Sequence, residues 1–151
     1  MTRAIGWATL VAGTLDILYA ALMSAISGGG PGAMLRTVAS GPFPAATQWG
    51  TGGSILGLLV HFTLMGIMAT YFVIAARNWP MMLARPIQWG IAYGLVTYVV
   101  MNWMVVPLRF DTPVPPPPRA ILSQLFAHIV LVGIPIALVA ARMVRPRVLA
   151  G

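Results

Sequence analysis

Four long apolar stretches dominate the pattern of hydrophobic and polar positions in this chain. They cover residues 4–27, 50–76, 86–106 and 120–141, and each ends near an arginine or a segment rich in glycine or proline. A helix needs about 20 apolar residues to cross the ~30 Å hydrocarbon core of a bilayer. The pattern therefore predicts four transmembrane helices.

The first stretch has some features of a signal peptide, since Arg3 precedes it and small residues follow Ser24. Its apolar run is longer than the core of about 7–15 residues that signal peptides contain, and Asp16 lies near its centre. We interpret it as a retained first helix.

The composition supports this fold class. Of 151 residues, 59% are hydrophobic and 7% are charged, and the four spans leave no room for a separate catalytic domain. We expect an all-α integral membrane protein whose residues 1–151 form one transmembrane four-helix bundle. The sequence contains no cysteine and no glutamate, and Asp16 and Asp111 are its two acids. Thiolate metal sites, carboxylate cages and paired catalytic carboxylates are therefore excluded, and we expect a non-enzymatic protein.

The arginines predict the orientation. Six lie on the side that holds both termini and the second loop, against three on the other side. Because positive residues favour the cytoplasmic side, we expect both termini in the cytoplasm of a bacterial cell and a multi-pass inner-membrane location. The basic residues after the fourth stretch are interpreted as an anchor for anionic lipid, and no nucleic-acid partner is expected. The six arginines on the side of the termini are Arg3, Arg77, Arg85, Arg142, Arg145 and Arg147. The three on the other side are Arg36, Arg109 and Arg119.

Two of the loops carry structural signals. Residues 33–39 lie between glycine- and proline-rich segments and are predicted to form a short helical turn. Residues 107–119 include a run of four prolines, Pro115 to Pro118, and are predicted to form a stiff loop.

Small and polar residues recur at helical spacing within the apolar stretches. In lipid, helices associate through close packing of small residues and through hydrogen bonds, so these rows predict the faces that pack together. The rows are Ala12, Asp16 and Ala20; Gly53, Gly57, His61 and Met65; Gly90, Gly94, Tyr98 and Asn102; and Gln124, His128 and Val132.

One polar residue from each row forms the candidate site. At about 1.5 Å per residue, Asp16, His61, Asn102 and His128 all fall in the outer half of the bilayer. An unpaired charge is unfavourable there, so Asp16 needs a partner, and His61 and His128 are the candidates. Tyr98 and Gln124 lie on the same rows and complete the predicted ligand-binding set.

This cluster leaves three interpretations open. The side chains hydrogen-bond one another and hold the bundle together, or His61 and His128 bind a metal ion or a haem b iron, or the cluster carries a proton or a solute. No spacing typical of a haem or zinc motif accompanies either histidine, so the sequence identifies no cofactor.

Several segments resemble a group of short four-helix bacterial inner-membrane proteins. The resemblance rests on residues 56–62, on Arg85-Pro86 with Tyr93-Gly94 and Met101-Asn102, and on His128 with residues 133–137. It implies a four-helix inner-membrane fold and transfers no activity and no site residue.

Together these patterns predict a non-enzymatic inner-membrane accessory or small-ligand-binding subunit. The alternative is an oligomeric transporter or channel subunit that uses the polar cluster as a relay, and the third is a bis-histidine haem or metal protein. The expected partners are the lipid bilayer and either other membrane proteins or further copies of this chain.

Overall fold

The computed structural model describes residues 1–145, and this part of the chain is all-α. Arg147, which we counted on the cytoplasmic side, lies outside the described residues. Four helices are long and apolar enough to cross a membrane, which confirms the predicted number of spans. The helices are α1 (Thr2–Ile26), α2 (Pro31–Ser40), α3 (Gly50–Asn78), α4 (Pro80–Ala84), α5 (Pro86–Phe110) and α6 (Pro118–Met143), and a 3₁₀ turn, Pro44–Gln48, precedes α3.

Two prolines lie inside α5 and α6 without ending them. Pro107 was expected to begin a loop, but α5 continues to Phe110. A π-helical segment precedes each proline, Val100–Val105 in α5 and Ala127–Gly133 in α6. A proline has no N–H to offer the preceding turn, and a local change to π-type bonding gives the freed carbonyl groups other partners. The helices therefore continue through both prolines.

The four long helices alternate in direction and pack in a defined order. Helix α1 lies against α3 and α6, α5 lies against α6, and the short α2 folds across α3. We call the half of the molecule near the start of α1 and the end of α6 the terminal half, and the half near α2 and the 111–117 loop the far half.

Glycines bring these helices into close contact. A Cβ atom at Gly57 of α3 would overlap the carbonyl of Leu35 in α2, and a Cβ atom at Gly94 of α5 would overlap the carbonyl of His128 in α6. Gly133 meets Gly90 in the same way. The predicted row on α3 is buried throughout, and the row on α5 is buried as far as Tyr98. Both rows are therefore packing faces, as predicted.

The terminal half contains the core. Alanines of α1, α3 and α6 pack there around Phe72 of α3, which is fully buried. The ring of Phe72 packs edge-on against that of Tyr93 in α5, with 5.1 Å between the ring centroids. The Tyr93 hydroxyl donates a hydrogen bond of 2.7 Å to the carbonyl of Met68. Two aromatic side chains thus join α3 to α5 in this half.

Candidate functional site

The carboxyl group of Asp16 in α1 faces the imidazole ring of His61 in α3. The Nδ1 atom of His61 lies 3.9 Å from Oδ2 of Asp16, and the side chains are 8% and 20% exposed respectively. The other ring nitrogen, Nε2, lies 2.9 Å from the carbonyl oxygen of Gly13. The two helices can come this close because residue 13 is a glycine. A Cβ atom at this position would overlap the ring of Phe62. Of the two candidate histidines, His61 is therefore the one that lies beside Asp16.

The bond to Gly13 determines where the imidazole carries its proton. A carbonyl oxygen accepts hydrogen bonds and cannot donate them, so Nε2 of His61 must carry a hydrogen. In a neutral ring, Nδ1 then presents a lone pair to the carboxyl group of Asp16. Attraction between these two groups requires one more proton, either on Nδ1 or on the carboxyl. The pair is consequently suited to hold a single proton.

His128 has a different environment. It is 8% exposed, it lies in the π segment of α6, and its ring meets that of Tyr98 edge-on at a centroid distance of 6.2 Å. Its Nδ1 atom is buried and has no hydrogen-bond partner among residues 1–145. Among residues 1–145, Nδ1 of His128 is therefore the one buried side-chain nitrogen or oxygen without a hydrogen-bond partner.

The remaining predicted site residues bond locally or face outward. Asn102 is half-buried and donates to the carbonyl of Tyr98 in its own helix, at 3.3 Å. The Tyr98 hydroxyl accepts a 3.2 Å hydrogen bond from Nε1 of Trp103. Gln124 is exposed, which departs from the packing face predicted for its row. The structure thus places Asp16 beside His61, brings Tyr98, Asn102 and His128 together in a second group, and leaves Gln124 exposed.

Metal binding was one interpretation of this cluster. Within the described range, no group of three or more His, Asp or Glu side chains is arranged to hold a metal ion. Coordination by His61 and His128 alone stays a prediction. For His61 it would require the ring to give up its contact with Gly13 or with Asp16. Optical absorption tests the haem variant, because a bound haem gives a Soret band that either histidine substitution would remove.

A larger feature lies in the far half, where α3 and α5 separate. A cavity of about 930 Å³ opens between them, and α2 closes one side. Small-molecule sites in proteins occupy roughly 300–1,000 Å³. The walls are almost entirely apolar, with Leu56, Val60 and Leu64 contributed by α3 and Met101, Val105 and Val106 by α5.

One charged side chain lines this cavity. Arg109 near the end of α5 donates from Nε to the carbonyl of Gly41, at 2.5 Å, and from Nη2 to that of Ser40, at 2.6 Å. These carbonyls lie at the C-terminus of α2, where the helix dipole favours a cation. Arg109 thus connects α5 to α2 at the rim of the cavity.

Sequence reasoning missed both the cavity and the role of Arg109. The cavity's walls look like ordinary lipid-facing positions, and the gap depends on how far apart two helices pack. For Arg109, a signal was present, since an arginine two residues beyond Pro107 at the end of an apolar span can bond to a neighbouring helix terminus.

The four long apolar helices are consistent with a multi-pass α-helical membrane protein, and the described residues contain an apolar cavity and a separate polar pair. No protein-family model, no curated protein and no solved structure matches the chain.

Proposed function

We propose that this chain is a non-enzymatic bacterial inner-membrane protein that binds a small apolar or amphiphilic ligand in the cavity between α3 and α5. In this proposal, α1, α3, α5 and α6 form a transmembrane four-helix bundle with both termini in the cytoplasm. The observation that carries the proposal is the size and apolar lining of the cavity, which is large enough for a ligand and enters the apolar part of two spanning helices.

The lining determines what the cavity can hold. Side chains such as Val60, Leu64 and Met101 offer no hydrogen bonds, so hydrocarbon is favoured over water beside them. Two of the lining hydroxyls, those of Thr37 and Thr63, donate to carbonyls of their own helices at 3.1 and 2.8 Å. Both hydroxyl hydrogens are already donated to backbone carbonyls, and the surrounding walls are apolar. This lining supports binding of a ligand rather than its chemical conversion.

The charge distribution supports the orientation. Arg77, Arg85 and Arg142 lie at the ends of spans in the terminal half, and Arg36, Arg109 and Arg119 belong to the far half. With the terminal half in the cytoplasmic leaflet, the cavity opens within the outer leaflet. A reporter fused after Gly151 should be active only in the cytoplasm, and periplasmic activity would reverse the proposed orientation.

Filling the cavity tests the binding proposal. In Val60→Trp the larger side chain should occupy part of the cavity. Because the ligand then loses its contacts with that part of the wall, the affinity for radiolabelled hexadecanol should fall by about tenfold or more. Leu58→Trp is the matched control, since Leu58 lies on the same helix and does not line the cavity. Binding is measured with purified protein in detergent. Equal affinity in Val60→Trp and the wild type would reject the cavity as the site.

A second function is favoured by one observation, the Asp16–His61 pair that is suited to hold a proton. In that case the protein is a subunit of a proton-coupled transporter, and several copies assemble because four helices enclose only a narrow path. Proteoliposomes should then show proton uptake that Asp16→Asn abolishes. Uptake that is absent in the wild type, or unchanged in Asp16→Asn, would exclude this function.

A further inference from the structure

We propose that the ligand of the cavity is an anionic amphiphile whose carboxylate or phosphate group binds Arg109 while its acyl chain lies between α3 and α5. This inference rests on the proposed function, and it adds the chemical class of the ligand and the residue that selects it.

The guanidinium group of Arg109 is held in place with donors to spare. Its Nε and Nη2 atoms bond to the carbonyls of Gly41 and Ser40. Its Nη1 atom has no hydrogen-bond partner within the described part of the chain. A guanidinium group is planar and presents several N–H donors in a fixed arrangement, which suits carboxylate and phosphate oxygens. Arg109 is therefore preorganised to bind an anion.

In the part of the chain that the structure describes, no carboxylate neutralises the charge of Arg109, whose side chain is exposed and whose guanidinium carbon also lies 5.2 Å from the centroid of the Phe110 ring. Among residues 1–145, the contact between Asp16 and His61 is the single one within 4.0 Å between an acidic and a basic side chain, so no carboxylate lies that close to Arg109. The following acid in the sequence, Asp111, is exposed and makes no salt bridge to it. Carbonyl oxygens orient the guanidinium group but carry no net charge. An anionic ligand would supply the missing negative charge at the rim of an apolar cavity.

The arrangement of polar and apolar groups matches an amphiphile. Along α5 the lining extends from Arg109 inward to Met101, eight residues away, which corresponds to about 12 Å. Val105 and Val106 lie between these two residues, and Leu64 of α3 lines the cavity with them. The charged group thus lies at one end of a cavity that is otherwise apolar. This arrangement suits a ligand with a charged headgroup and a hydrocarbon tail.

Two probes with the same hydrocarbon chain separate the headgroup from the tail. Palmitate carries a carboxylate at neutral pH, and hexadecanol carries a hydroxyl in its place. We expect the wild type to bind palmitate about tenfold more tightly than hexadecanol, the magnitude typical of a hydrogen bond to a charged group. Arg109→Gln should abolish this preference for palmitate over hexadecanol, because the headgroup then has no charged partner.

Two further variants control for charge and folding. Arg119→Gln removes an arginine from the same half of the molecule that does not line the cavity, so it should retain the preference for palmitate. Arg109→Lys keeps the positive charge and should retain part of the preference for palmitate. Because hexadecanol reports whether the cavity is intact, a variant that loses both probes equally shows that Arg109 only maintains the fold, which would overturn the inference.

The outcomes also distinguish this inference from the proposed function. If wild type and Arg109→Gln show the same ratio of palmitate to hexadecanol affinity, Arg109 does not bind the headgroup and this inference fails, whereas a loss of hexadecanol binding in Val60→Trp still supports the proposed function. If Val60→Trp leaves the affinities for both probes unchanged, the cavity is not the binding site, and both proposals fail.

Discussion

The terminal and far halves of this molecule use the same two helices, α3 and α5, in different ways. In the terminal half the rings of Phe72 and Tyr93 meet between them, and the surrounding alanines close the interior. In the far half α2 packs onto α3 at Gly57, Arg109 connects α2 to α5, and a cavity of about 930 Å³ separates the two long helices.

The contrast between the two halves shows what closes a gap between helices in a membrane. Lipid chains are as apolar as leucine side chains, so no hydrophobic force draws α3 and α5 together. They approach where side chains of matching shape meet, as Phe72 and Tyr93 do. In the far half, Val60 and Val105 are also apolar, but each is too short to span the opening. Apolar character alone therefore does not determine whether two helices pack.

The largest effect is expected where glycines hold the terminal half together. Gly94→Leu should destabilise the protein by about 3 kcal/mol or more, because the new side chain would overlap the backbone of His128 and Ile129 in α6. Unfolding in detergent measures the loss. Gly30→Leu is the matched control, since no atom lies within 4 Å of a Cβ built there, and it should be close to neutral. Equal stability of the two variants would contradict the packing described for α5 and α6.

A somewhat smaller effect is expected if the terminal half is made to resemble the far half. Phe72→Ala removes the buried ring that meets Tyr93 and should destabilise the protein by about 3 kcal/mol. Detergent unfolding again provides the measurement. Tyr71→Ala is the control, since Tyr71 is 70% exposed on the same helix. If both variants lose the same stability, Phe72 is not what joins the two helices.

The polar pair should produce a coupling of intermediate size. In a double-mutant cycle of Asp16→Asn and His61→Leu, we expect a coupling energy of about 2 kcal/mol, because removing one partner leaves the other unpaired at membrane depth. The same cycle with His128→Leu should show no coupling, since His128 makes no ion pair with Asp16. Coupling to His128 in place of His61 would refute the assignment of the partner.

The smallest effect is expected at His128. Its Nδ1 atom is buried without a partner in the part of the chain that the structure describes, so replacing the ring by an apolar one removes an unsatisfied group. His128→Phe should change stability by less than about 1 kcal/mol and in the favourable direction, whereas His61→Phe should be destabilising. A large loss in His128→Phe would show that Nδ1 has a partner, such as a bound cofactor.

The sequence predicts the spans well, because length and apolar character are local properties. It also predicts the buried rows on α3 and α5, because small residues at helical spacing are needed for close packing. The polar cluster could not be assembled in the same way. Counting residues gives the depth of Asp16 and His128 but not their angular position around each helix axis, and two groups at one depth can face different neighbours.

The π segments account for part of the difference between the counted positions and the contacts in the structure. A depth count assumes regular α-helices, whereas Asn102 and His128 both lie in π turns that change the direction of the side chains that follow. Pro107 and Pro135, each inside an apolar stretch, were the available signals. The cavity had no local signal, since it depends on where α2 packs against α3.

The π turn before Pro107 also gives α5 a place where the length of the chain can change. Such a turn contains one residue more than a regular α-helix would use for the same rise. Deleting a single residue from Val100–Val105 would therefore restore regular winding and leave Arg109 directed at Ser40 and Gly41. The same deletion in the regular part of α5, Pro86–Val99, would rotate everything beyond it by about 100°. A one-residue deletion in the π turn should therefore be better tolerated than one in Pro86–Val99.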